Sequence, residues 1–141
     1  MGFEKFGVVS FTSDAKVAPL VDYLEKGKVM MTKCQKCGKA FFPPKADCPQ
    51  CVSSNVEWLE ISSTGTLLTF TVVNYGPSGF ENDTPYTLGI AEFEEGVKVL
   101  GRVSREISPE EIKVGMRVKL TPVKLANEQI IYEMQRGQCH D

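Results

Sequence analysis

Histidine is almost missing from this 141-residue chain, and its one copy, His140, is the second-to-last residue. A Ser-His or Cys-His nucleophile pair needs an imidazole fixed inside the fold, and that position makes one hard to build. Long apolar runs are missing too. No stretch approaches the roughly 18 residues of a membrane span. The opening Met1 to Phe6 has neither a signal peptide's apolar core nor the Ser or Thr that a myristoylation site wants where Phe6 stands, so the cytoplasm is the expected location. No glycine-rich phosphate loop occurs. Glu94, Glu95, Glu110 and Glu111 fall in turns and at a helix start, where solvation and dipole complementarity explain them without an acid-base pair. Sixteen basic residues against eighteen acidic ones leave a net charge of −2. That balance argues against a surface built throughout to neutralise nucleic-acid phosphates.

What the chain does have is a cluster of cysteines. Four of its five lie within eighteen residues, as Cys34-x2-Cys37 and Cys48-x2-Cys51 separated by ten residues, and Cys139 stands alone near the end. Two CxxC knuckles can each place two thiolates on one side of a tight turn. When the turns face each other, the sulfurs reach the corners of a tetrahedron of radius about 2.3 Å around Zn(II). Gly38 follows Cys37 where a knuckle needs an unhindered backbone, and Pro49 follows Cys48 inside the second turn. Paired disulfides do not suit a chain kept reduced. A thioredoxin-like CxxC would have to open a helix, which Pro43-Pro44 between the knuckles forbids. Iron in a rubredoxin-like site is the alternative to zinc, because the same thiolates bind either ion. A closed four-sulfur zinc site leaves no position for water or substrate, so the expected role is structural.

The rest of the chain reads mainly as β. Pro19, then Leu20, Tyr23 and Leu24 at helical spacing, then Gly27, predict a short amphipathic helix. Residues 28–33 lead as a strand into the first knuckle. Further strands are predicted over 56–61, 65–75, 86–93, 97–103, 116–125 and 130–134, with a turn-rich loop at 76–85 and a hairpin at Glu94-Glu95-Gly96. Ser108-Pro109 predicts a capped helix start lasting only until Gly115. In 116–120, alternation turns Met116, Val118 and Leu120 inward and Arg117 and Lys119 outward. Short strands with one late helical turn and no βαβ period indicate a five- to six-stranded barrel, with the five-stranded OB-fold the best fit. The expected organisation is an arm and helix over 1–27, a zinc ribbon over 28–55, an OB-fold over 56–136 and a tail over 137–141.

Charge divides along the same lines. Residues 28–51 carry Lys28, Lys33, Lys36, Lys39 and Lys45 against Asp47 alone, a side-chain sum of +4. Part of this offsets the −2 of a zinc tetrathiolate, and the remainder favours an anionic ligand or an acidic protein surface. Residues 56–136 hold twelve Asp or Glu against eight Lys or Arg. Nucleic-acid binding, which zinc ribbons and OB-folds both serve elsewhere, is therefore the second reading and not the first.

From about Pro19 to Gln135 the chain resembles proteins that join a rubredoxin-like zinc ribbon to an acyl-CoA-associated OB-fold and accompany thiolase-superfamily enzymes. The resemblance is carried by the helix Leu20–Lys26 with Gly27, Cys34-Gln35-Lys36-Cys37-Gly38, Pro43-Pro44, Cys48-Pro49-Gln50-Cys51, Trp58, Ser62-Ser63-Thr64-Gly65, Pro85-Tyr86 and Glu95-Gly96. Where the family usually shows Ser-Gly-x-Gly, this chain has Ser63 in place of the first glycine. The resemblance implies a non-catalytic accessory subunit of a thiolase, HMG-CoA synthase or acyl-CoA lyase complex. In such a complex the catalytic cysteine and histidines belong to the thiolase-like partner, and the barrel sits near the coenzyme A path. If coenzyme A touches this chain, Phe80 and Tyr86 are candidates to stack on adenine, and Arg102 or nearby lysines to meet phosphates.

Overall fold

The computed structural model describes residues 5–8, 16–126 and 128–137. Cys139 and His140 lie outside the described residues. Helix α1 (Pro19–Glu25) starts on its proline and buries Leu20, Val21 and Leu24. Gly27, at φ +84°, ends it where the sequence placed the stop. Its first turn has no side-chain cap, because Ala18 stands at the N-cap.

Strands β1 (Met30–Cys34), β2 (Ala40–Phe41) and β3 (Val56–Glu60) form a small antiparallel sheet in the order β2-β1-β3. Here the structure differs from the expected grouping: β3, assigned above to the barrel, is a ribbon strand. Its reach onto β1 is fixed by packing that no periodicity reveals. Thr32 faces Trp58 across the pair, Trp58 packs on Tyr23 of α1 at 5.6 Å between ring centres, and the Ile61 N–H donates to the Val29 carbonyl at 2.8 Å.

Five strands then close a barrel in the order β4-β5-β6-β8-β7: β4 (Gly65–Val73), β5 (Tyr86–Glu92), β6 (Lys98–Val103), β7 (Arg117–Lys124) and β8 (Ile130–Arg136). This is the expected OB-like barrel, with five strands and not six. Every pairing is antiparallel except β6 with β8, which run parallel through only Arg102–Glu133 and Val103–Met134. Between β6 and β7 the predicted capped helix shrinks to one 3₁₀ turn, Pro109–Glu111, in which Ser108 makes no side-chain cap bond. The three residues between that turn and Gly115 are too few to propagate a helix. In β7, Val118 and Leu120 are buried and Lys119 is exposed, as alternation requires. Arg117 is half-buried and is not simply solvated, because its guanidinium donates to the Thr66 hydroxyl at 2.8 Å and the Thr64 carbonyl at 3.0 Å.

One apolar core runs through all three parts. Leu20, Val21 and Leu24 of the helix and Met31 of the ribbon join Leu67, Val99, Val118 and Met134 of the barrel. The segment linking ribbon to barrel is also held from outside. Glu95, in the β5–β6 turn, accepts the Ser62 and Ser63 N–H groups at 3.0 and 2.9 Å, and the Ser63 hydroxyl donates to its other oxygen. Gly65 follows where a Cβ would stand 2.8 Å from the Phe93 ring and 2.9 Å from the Glu92 carbonyl. The glycine is there because no side chain fits.

Burial alone would raise the Glu95 carboxyl, but the Ser63 hydroxyl and the serine N–H groups outweigh it and hold the group below its ordinary value. A depressed folded value means that the carboxylate stabilises the fold fully above the unfolded value near 4.3, and that the contribution fades as pH falls through the folded value. Glu95→Gln is therefore expected to lower the urea midpoint at pH 7. The difference from the parent should shrink in acid, as read from unfolding curves collected between pH 7 and pH 3.

Candidate metal centre and apolar pocket

The two knuckles are built by backbone hydrogen bonds. Cys34 ends β1, its N–H donates to the Lys39 carbonyl at 2.9 Å, and the Gly38 N–H returns to the Cys34 carbonyl at 2.9 Å. In the second knuckle the Cys48 N–H donates to Ser53, and the Val52 N–H closes the turn on the Cys48 carbonyl at 2.8 Å. Gly38 and Val52 occupy matching positions with φ +78° and +52°. The first is the glycine the sequence offers, whereas the second forces a β-branched residue into the left-handed region. Between the knuckles, the fully buried Thr32 hydroxyl donates to the Lys45 carbonyl at 2.9 Å and accepts the Lys45 N–H at 2.8 Å. This pins the intervening loop, and nothing in the residue order signalled it.

The sulfurs of Cys34, Cys37, Cys48 and Cys51 all lie within 4.8 Å of one another, and Cys37 Sγ is 3.7 Å from Cys48 Sγ. Corners of a tetrahedron of radius about 2.3 Å are about 3.8 Å apart, so this spacing fits a Zn(II) tetrathiolate, and all four thiols are free. Backbone hydrogen bonding, that of Cys37 first, brings the Cys34 thiol down to about 7 against the effect of burial. Sharing with Cys37, followed by burial, pushes Cys51 up to about 12. Four such groups cannot all ionise side by side without a cation among them, and a divalent metal is the species that meets the need. Cys34 and Cys48 are buried, Cys51 is half-buried and Cys37 is exposed at the rim.

Phe80, Tyr86 and Arg102 are brought together. They line a pocket of about 370 Å³ whose other walls include Phe6, Leu88, Ile131 and Tyr132. The Phe80 and Tyr86 ring centres are 6.3 Å apart, and the Arg102 guanidinium carbon lies 4.9 Å from the Tyr86 ring centre. Arg102 also pairs with Asp83, which Arg105 joins at 3.1 Å. Burial raises the neighbouring Glu133 carboxyl, although Arg102 and Arg105 pull against it. Burial likewise pushes Tyr132 up to about 12, and its hydroxyl donates to the Leu100 carbonyl at 2.9 Å. Sequence reasoning missed Phe6 and Tyr132. Phe6 stands in a segment without periodicity, and Tyr132 reads as an ordinary strand aromatic.

Comparison with known proteins agrees with this architecture. Residues 22–57 match the family described as ChsH2, rubredoxin-like zinc ribbon domain, and residues 58–122 match ChsH2, C-terminal OB-fold domain. A DUF35 domain-containing scaffold protein of Pyrococcus furiosus is 39% identical over 103 residues, covering 73% of this chain and 74% of that protein. Benzoylsuccinyl-CoA thiolase subunit BbsA of Thauera aromatica is 29% identical over 89 residues, covering 63% of this chain and 59% of its own. Among solved structures, one named Ltp2-ChsH2(DUF35) aldolase superposes with a TM-score of 0.73 at 23% identity, over 89% of this chain and 98% of that one. That last likeness is one of fold.

Cys48→Ser is expected to reduce bound zinc from one per chain to near zero and to unravel the ribbon, as read by elemental analysis and amide exchange of residues 30–60. Val52→Gly relieves the left-handed valine and is expected to stabilise the metal-loaded chain by about 1 kcal/mol, measured as an upward shift in thermal midpoint.

Proposed function

Because the chain belongs to the DUF35 family, which joins a ChsH2-type zinc ribbon to an OB-fold, we propose that it is a non-catalytic accessory subunit of a thiolase-type acyl-CoA enzyme. The observation that carries this reading is the commitment of four cysteines to one closed cluster, which leaves no sulfur there to act as a nucleophile. The one histidine in the sequence is His140, at the far end of the chain. The names of two relatives, a scaffold protein and a subunit of a benzoylsuccinyl-CoA thiolase, point the same way.

In this reading the thiolase-like partner supplies the reacting residues, α1 and the lysine-bearing ribbon contact it, and Phe80, Tyr86 and Arg102 face the acyl-CoA. A reducing cytoplasm keeps the thiols available for metal. Among the described residues, no helix is long and apolar enough to cross a membrane. The acidic excess of residues 56–136 weighs against a nucleic-acid track along the barrel.

Co-expression with a thiolase-superfamily protein encoded beside it tests the proposal. The expected result is co-elution as one complex whose acyl-CoA turnover falls when this chain is left out. Elution alone at 15.6 kDa, with no effect on turnover, would overturn it, and salt-dependent retention on single-stranded DNA would favour the nucleic-acid reading instead.

A further inference from the structure

The pocket that gathers Phe80, Tyr86 and Arg102 offers carbon and little unmatched charge. Asp83 accepts from both Arg102 and Arg105, and these bonds tie the 76–85 loop to the barrel so that Phe80 stands against Tyr86. The loop is braced further by its own bonds, with the Phe80 N–H donating to Pro77 and the Asp83 N–H donating to Phe80, both at 3.0 Å. Arg102 is thus a positioning residue whose charge is matched within the protein. The hydroxyl of Tyr132 is likewise taken, by the Leu100 carbonyl. A phosphate or the polar edge of a purine would find few free partners among Phe6, Phe80, Tyr86, Leu88, Ile131 and Tyr132 and would lose its hydration. A hydrocarbon group would gain by the same burial.

The fourth wall comes from residues before the helix. The Gly7 N–H donates to the Ile130 carbonyl at 2.9 Å, and Lys5 pairs with Glu25 at 3.4 Å, which holds Phe6 across the pocket beside Tyr132. At about 370 Å³ the space lies near the lower end of small-molecule sites, which run from about 300 to 1,000 Å³. It opens over the second and third barrel strands and the loop between the first two, the region that OB-folds use for ligands.

We infer that this pocket holds the hydrocarbon part of an acyl thioester, with the coenzyme left outside its mouth. The inference rests on the acyl-CoA reading above and assigns it a specific part of the molecule. Isothermal titration calorimetry on the zinc-loaded full chain, with decanoyl-CoA, sodium decanoate and coenzyme A as separate ligands, tests it. Decanoyl-CoA and decanoate are expected to bind one per chain, with coenzyme A at least about tenfold weaker. Phe80→Ser, in a loop outside the core, and Leu88→Asp are each expected to weaken decanoyl-CoA about tenfold or more, while Leu100→Ala, on the outer sheet surface, leaves it unchanged. Coenzyme A binding as tightly as decanoyl-CoA, decanoyl-CoA binding that ignores Phe80→Ser, or no acyl binding at all would each overturn it. Co-elution with the thiolase-like protein is read in parallel. If it persists without acyl binding, the pocket assignment fails and the accessory role stands.

Discussion

Four sulfurs within 4.8 Å of one another are the constraint on which the ribbon depends. As thiolates they repel, as thiols they waste their reach on weak hydrogen bonds, and only a metal ion between them turns the cluster into an attraction. The knuckle end of the ribbon has little else. Its own apolar cluster is Cys34, Phe41 and Cys48 with Cys51 against them, so three of its four members are ligands. Metal binding of this type is worth about 10–16 kcal/mol in small peptides, far more than one phenylalanine can supply. The backbone bonds of both knuckles and the Thr32 hydroxyl only position groups that the ion then holds.

The ribbon is nonetheless not an independent bead. β3 leaves the ribbon sheet and runs into the linking segment, where Glu95, Arg117 and the Phe93 ring meet it from three sides. Ser63, which replaces the glycine expected from the family pattern, explains itself here, since its hydroxyl adds a donor to the Glu95 carboxylate. The helix completes the connection by burying leucines in the core that the barrel also fills. The direction in which the ribbon points is thereby set by the barrel.

Much of this was legible in the residue order. Paired CxxC spacing is dictated by metal geometry and reads directly, and a proline followed by apolar residues at helical spacing and a glycine marks α1 at both ends. Strand alternation in Val118, Lys119 and Leu120 told inside from outside. Pairing partners were not legible, because a strand's side chains report which face is buried and not which neighbour its backbone meets; hence 56–60 was placed in the wrong sheet. Ser108 misled for a related reason: a Ser-Pro start signals a helix, but only three residues of 3₁₀ turn formed. Phe80 and Tyr86 were chosen beside one loop and Arg102 as a group for phosphates, and the fold lines one pocket with all three. Asp83, which absorbs the charge of Arg102, was invisible to that choice because only folding sets the two side by side.

The parallel seam between β6 and β8 spans just two residue pairs. Strands paired along their full length would have zipped the cylinder shut, giving a sturdier wall and a solid one. By parting early, the two strands forgo main-chain bonds and make one phenol, that of Tyr132, serve as a strut between them. The hollow beside that strut lies along this short seam, so a thinly bonded stretch of the wall is also the stretch with room for a guest.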